Sequence, residues 1–266
     1  MTSDFDAAAL ASRIGRSWSS GATLRLDPAE CPPDLESAED VLWRVIRDSG
    51  RSPVAWKLGA STFLARAAQG FDRAWSAPLF AGEVLESPAH LPARADGTLG
   101  LECELVFRLG TDVPATGALD PATVRLLVAG VRAGIEVPAS RYPALGAYGA
   151  PALVADRGAA GWLVVGDELA EWEPDALDTI AARLLVDGVE CGAGSGRDII
   201  EGPLGALCDH LARMRRLGVA QPAGMLVSIG SLAGFVVVEA PCGAVAEFAG
   251  VGKATLEVPH PGLRKN

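Results

Sequence analysis

The chain has 266 residues, a hydrophobic share of 49%, a charged share of 21% and a formal net charge of −10. That length supports one large domain with a smaller attached segment, and the composition is that of an ordinary soluble globular protein. The acidic balance disfavours nucleic acid, whose phosphates need clustered Lys and Arg, and no run reaches the roughly 18 apolar residues of a membrane-spanning helix.

The N-terminal MTSDFDAAALASRIGRS lacks a basic start followed by a long apolar core, so it does not read as a secretion signal. The first sixty residues look helical and mixed. Ser37 is the expected N-cap, with Asp40 as its capping-box partner. Val41, Leu42, Val45 and Ile46 then share one helical face, and Gly50 stops the helix. VAWKLG (54–59) reads as a short buried strand. From about residue 80 strand signals dominate, with hairpin-turn dipeptides at Asp96-Gly97 and Asp187-Gly188. LGLECELVFRLG (99–110) alternates: Leu99, Leu101, Cys103, Leu105, Phe107 and Leu109 share one face, and Glu102, Glu104, Val106 and Arg108 the other.

Two helices are expected among these strands. Asp120-Pro121 opens PATVRLLVAGVRAG as N-cap and first helical residue. The second starts near Leu204, carries Leu207, Cys208, Leu211 and Met214 at helical spacing, and stops at Gly218. The basic cluster Arg213 to Arg216 sits at its C-terminal end, where cations complement the helix dipole. LVSIG, FVVVEA, AVAEFAG and ATLEV follow as short strands. The fold class is α+β, divided into an N-terminal helical and mixed segment (1–59) and a β-rich domain (60–266).

Five cysteines form no CxxC pair and are odd in number, so a reduced, cytoplasmic protein with free thiols is expected. The three histidines have no metal-binding spacing, which argues against a Cys/His zinc site. Carboxylates are the stronger signal. Glu102 and Glu104, two apart on a strand, point to one side, and Glu136 lies in a strand-like Ile135-Glu136-Val137. Were these strands neighbours, three carboxylates would converge and repel one another unless a cation such as Mg2+, Mn2+ or Ca2+ neutralised them. A strand with one wet face would also carry Glu at alternate positions, so the pattern leaves both readings open.

Lys57 is one of only three lysines, against twenty arginines, and lies in an apolar strand. A buried lysine loses its proton readily, which suits acid/base work; a lysine reaching to solvent at a strand end is the alternative. The glycine-rich GAGSG (192–196) follows a hairpin turn and completes no GxGxxG, so it is not a nucleotide site. IGSLAG (229–234) reads as a connection between two strands whose amides and Ser231 hydroxyl are able to cradle a carboxylate. No serine-nucleophile elbow or P-loop is present.

In order and spacing, WKLG (56–59), PLFA (78–81), LECELVFRLG (101–110), GIEVPASR (134–141), VADR (154–157), GSG (194–196) through Pro203, GSLAG (230–234) and EFAGVGKATLEV (247–258) resemble the fumarylacetoacetate hydrolase superfamily. Within it they are most similar to the 2-keto-4-pentenoate hydratase and 4-oxalocrotonate decarboxylase branch. The resemblance covers Ala55 to Val258. It implies a mixed β-roll with a smaller N-terminal part, and Mg2+ or Mn2+ held by Glu102, Glu104 and Glu136. It also implies Lys57 as the acid/base residue, and Ser61, Gly230 and Ser231 as substrate-binding residues. Substrates of the family are typically 2-oxo acids or their dienols; the metal stabilises the enolate while the lysine moves a proton.

The sequence departs from that branch where substrate is handled. Trp75 or a neighbour replaces an acidic residue before PLFA, Arg157 follows VAD where Asn is expected, Ala159 or Ala160 replaces a small polar residue, and Ala233 replaces Thr. The hydrolases' His-Glu pair is not evident. These losses imply a larger, more apolar substrate. The expected function is a metal-dependent lyase, hydratase or decarboxylase in type, acting on a 2-oxo acid or enol. The alternatives are a C–C hydrolase or isomerase of 1,3-dicarbonyl compounds, or a non-catalytic partner subunit. Expected partners are a small-molecule substrate and further copies of the chain in a homo-oligomer, with a related pathway enzyme as a further candidate.

Overall fold

The computed structural model describes residues 5–91, 98–169, 172–249 and 252–259, so the Asp96-Gly97 turn lies outside the described residues. In chain order the elements are helices α1 (Ala7–Ser20) and α2 (Leu35–Ser49), strand β1 (Pro53–Gly59), α3 (Phe63–Gln69), β2 (Trp75–Phe80), β3 (Val84–Glu86), β4 (Ala89–His90) and β5 (Thr98–Leu109). Then come α4 (Pro121–Leu127), β6 (Val128–Val137), α5 (Gly149–Ala155), β7 (Trp162–Leu169), α6 (Pro174–Thr179), β8 (Ala181–Val186) and β9 (Val189–Ser195). The chain continues through α7 (Gly202–Arg216), β10 (Leu226–Glu239), β11 (Cys242–Phe248) and β12 (Gly252–Val258).

Two sheets carry the strands: a seven-stranded one ordered β2-β1-β10-β5-β6-β7-β3 and a five-stranded one ordered β4-β12-β11-β8-β9. The expected apolar face of β5 enters the main core. Leu101, Cys103, Leu105 and Phe107 pack there with Ala244, Ala246 and Leu256 of the second sheet. α1 and α2 close a second core over Trp75 and Ala77 of β2 and Ala152 and Val154 of α5. β1, placed by sequence at the end of the N-terminal segment, is hydrogen-bonded between β2 and β10. The Asp187-Gly188 turn joins β8 to β9 as expected.

Several local expectations are corrected. The N-cap of α2 is Asp34, whose carboxylate accepts from the Ser37 amide at 2.8 Å; Ser37 is thus the third helical residue. The helix after Asp120 ends at Leu127, and VAGVRAG belongs to β6, because pairing with both β5 and β7 satisfies its backbone across two neighbours. β10 runs through IGSLAG as one strand, with register shifts between Ser228 and Ser231 and between Ser231 and Phe235. Glycines at positive φ, Gly230 (102°) and Gly234 (77°), make these bulges possible. Three short helices, α3, α5 and α6, add to the two expected among the strands. The five cysteines are free, and among the described residues no helix is long and apolar enough to cross a membrane.

Candidate active site

The register of β5 against β6 sets Glu102 opposite Glu136 and Glu104 opposite Gly134. Because Glu102 and Glu104 share a side of β5, this pairing gathers three carboxylates, with one oxygen of each within 4.8 Å of the others. Glu104 is 1% exposed and Glu136 is fully buried, so the wet-face reading of these residues does not hold. Like charges directly opposite on a sheet repel, and burial strips both of water. Burial, then the neighbouring Glu102 charge, pushes the Glu104 carboxyl up to about 7. Burial also drives Glu136 well above the usual carboxylate range, against the opposing charge of Lys57.

The two buried glutamates are supported differently. The Ser228 hydroxyl and the Gly230 amide, the latter at 3.1 Å, both donate to Oε2 of Glu104. Neither oxygen of Glu136 accepts a hydrogen bond. Lys57 is brought alongside because β1 runs parallel to β10, with Lys57 opposite Ser228. Its Nζ lies 3.4 Å from Oε1 of Glu136 and 5.3 Å from the centre of the Trp75 ring. At 5% exposure it is a buried, paired lysine rather than one reaching for solvent. A hard divalent cation fits this all-oxygen set, and the two orphaned oxygens of Glu136 are the groups it would satisfy.

A cavity of about 340 Å3 opens from these groups, and Lys57, Glu102, Ser61, Gly230 and Ser231 all line it. Glu104 and Glu136 stand behind that lining. Gly230 already donates its amide to Glu104, and the Ser231 hydroxyl donates to the Gly234 carbonyl at 2.6 Å. Ser61 is buried, its Oγ so close to Gly230 that a Cβ there would meet it at 1.9 Å.

The positions that depart from the branch have distinct fates. Trp75 and Ala159 line the cavity. Arg157 turns away from it: its guanidinium pairs with Glu83 at 2.5 Å and lies over the Trp18 and Phe80 rings. Among the described residues no histidine lines the cavity; His210 instead meets the Ser76 hydroxyl at 2.9 Å in a separate hollow. Sequence reasoning missed Ser228 as the clamp on Glu104. A lone serine in the apolar LVSIG, two residues before the bulge, was the available signal.

No family model matches the chain, and no curated protein matches it. Solved structures do. 4-Oxalocrotonate decarboxylase from Pseudomonas putida G7, complexed with magnesium and adipate, matches with a TM-score of 0.82 at 18% identity, over 95% of this chain and 97% of that one. 2-Hydroxyhepta-2,4-diene-1,7-dioate isomerase from Mycobacterium marinum matches with 0.59 at 17% identity, over 80% and 78% of the two chains. Fumarylpyruvate hydrolase from Pseudomonas aeruginosa, in complex with Mn2+ and pyruvate, matches with 0.59 at 16% identity, over 77% and 89%. At these identities the likeness establishes architecture: the chain has the mixed β-roll fold of the fumarylacetoacetate hydrolase superfamily that its sequence motifs led us to expect.

Proposed function

We propose that this protein is a divalent-metal-dependent lyase that acts on a 2-oxo acid or its enol, with Glu102, Glu104 and Glu136 as the metal ligands. The observation that carries the reading is a fully buried glutamate with both oxygens unbonded, facing two further carboxylates and a buried lysine. Natural structures rarely leave both oxygens of a buried carboxylate without a hydrogen bond, and one lysine does not balance three carboxylates. When bound, Mg2+ or Mn2+ would neutralise the carboxylates and supply positive charge to the carboxylate and keto oxygens of the substrate.

The chain's own residues have separate tasks in this reading. Ser228 and the Gly230 amide orient Glu104. Lys57 lines the cavity beside the carboxylates and is the group that holds and delivers a proton at the substrate carbon next to the keto group. Trp75 shields that ammonium from bulk water. Hydration of an unsaturated 2-oxo acid leads, and decarboxylation comes next; both require charge to build on the same oxygen. The likeness in fold to a decarboxylase, an isomerase and a hydrolase, two of them solved with Mg2+ or Mn2+, supports a metal-dependent enzyme.

The test is calorimetric titration of metal-free protein with Mg2+ and Mn2+, with and without oxalate, which imitates the chelating end of a 2-oxo acid. Saturable metal binding that oxalate strengthens and Glu104→Gln loses is the expected result. An absence of metal binding in the wild type would remove the reading. Product analysis on 2-oxo acid substrates then separates added water from released CO2.

A further inference from the structure

The cavity beside Lys57 is lopsided. Among the described residues, Lys57 and Glu102 are the only charged ones in its lining, and Trp75, Pro138, Leu153, Leu64, Leu145 and Phe235 contribute apolar surface. Among the described residues that line it, Lys57 is the only basic side chain, and it is already paired with Glu136. Two of the neutral polar side chains are turned to protein partners through their acceptor oxygens, and a third through its hydroxyl. Thr62 Oγ1 accepts from the Ala65 amide at 3.1 Å, and Gln69 Oε1 accepts from Trp75 Nε1 at 2.8 Å. The Ser231 hydroxyl is held by Gly234.

The Trp75 wall is a built feature. A Cβ at Gly59 would fall 2.0 Å from the indole, and one at Gly158 would fall 2.2 Å from it. The two glycines therefore make the slot in which the ring is fixed. Gly158 is the middle of three successive residues at positive φ, with Arg157 at 54° and Ala159 at 53°. Left-handed backbone at non-glycine residues is unfavourable and persists only where the surroundings enforce it. Here Arg157 is pinned by Glu83, and the turn sets Gly158 against the indole and Ala159 into the cavity wall.

We propose that the site selects a 2-oxo acid, or its enol, with a single carboxylate and an uncharged apolar tail lying along Trp75, Pro138 and Leu153. This rests on the metal reading above and narrows it to a substrate class. A second carboxylate lying against these inner walls would leave water without a cation to receive it. An alkyl or aryl tail gains from the same walls.

The experiment uses Mn2+-loaded protein and three probes: oxalate, 2-oxohexanoate and 2-oxoadipate, the last two differing by a terminal carboxylate. Calorimetric affinity for 2-oxohexanoate should exceed that for 2-oxoadipate at least about tenfold, the discrimination expected when a charge is buried unpaired. In Leu145→Arg, which adds a cation at the exposed lip, the gap should close by about tenfold. Equal or tighter binding of 2-oxoadipate to the wild type, with oxalate still bound, would overturn the tail assignment alone. A gap unchanged in Leu145→Arg would also overturn the placement of the tail at this lip. Failure of oxalate to bind would overturn the metal reading and this inference with it.

Discussion

The protein holds two sets of buried charges and treats them in opposite ways. Asp156, inaccessible to solvent, accepts from Trp18 Nε1 at 2.8 Å, Ser140 Oγ at 2.7 Å and the Arg141 amide at 2.7 Å, while its neighbour Arg157 pairs with Glu83. Glu136, equally inaccessible, accepts no hydrogen bond and faces two more carboxylates. The first set ties α1, the loop after β6 and the turn after α5 together. The second sets three carboxylates against the single buried ammonium of Lys57, 3.4 Å from Glu136, an excess of negative charge that fits the proposed cation.

Substitution at Arg157 separates the two sets by the largest effect. Arg157→Ala removes the buried partner of Glu83, which keeps only the more exposed Arg51 at 3.4 Å and the Phe80 amide at 2.9 Å, and should cost about 3 kcal/mol of folding stability in urea unfolding while leaving metal affinity intact. A loss below about 1 kcal/mol would mean the pair is worth no more than a surface salt bridge. At the carboxylates the sign should reverse. Mg2+ or Mn2+ at about 100 times Kd should stabilise the wild type by about 2.7 kcal/mol. Glu102→Gln should lose that increment yet, in chelator, be more stable than the wild type by about 1 kcal/mol, because repulsion on both buried glutamates is relieved. Lower stability of the metal-free variant would show that the carboxylates support the fold after all.

A third buried group sharpens the contrast through pH. Burial holds His210 neutral, pushing its pKa from 6.5 down to about 3. The unfolded chain takes up that proton below pH 6.5 and the folded chain does not, so this group removes stability as pH falls from about 6.5 toward 3, by up to about 1.4 kcal/mol per unit. Asp156 works in the other direction. Burial raises it from 3.8 to about 6, so the folded state binds its proton first and gains relative stability as pH falls through that window. The His210 contribution is therefore measured as a difference: wild type minus His210→Gln, followed by urea unfolding between pH 7 and 4. A difference that does not change with pH would mean that His210 takes up its proton as readily in the folded protein as in the unfolded chain.

What could be read from residues alone was whatever depends on local periodicity. The two-residue repeat of β5 set Glu102 and Glu104 on one side and the leucines on the other before any partner strand was known. The helical spacing of α7 and the apolar setting of Lys57 in β1 were equally plain. Readings failed where competition between distant segments decided. VAGVRAG continues a helical pattern, yet β5 and β7 both offer it hydrogen bonds, and it becomes β6. Asp34 and Ser37 are both good N-caps; the helix starts at the former, and Leu35 and Ala38 are buried as a result. Ser228 looks like an ordinary strand serine until β10 is laid against β5 and Glu104.

The sequence by itself determined the α+β class, the residue types of the candidate metal site and the lysine beside it, because side-chain alternation and motif order survive without tertiary contacts. Tertiary structure alone decided that Glu136 stands opposite Glu102, that its oxygens are left unbonded, and that Trp75 is wedged between Gly59 and Gly158 to make an apolar wall. Register, burial and close approach are relations between segments far apart in the chain, and their free energy exists only once the sheet has closed.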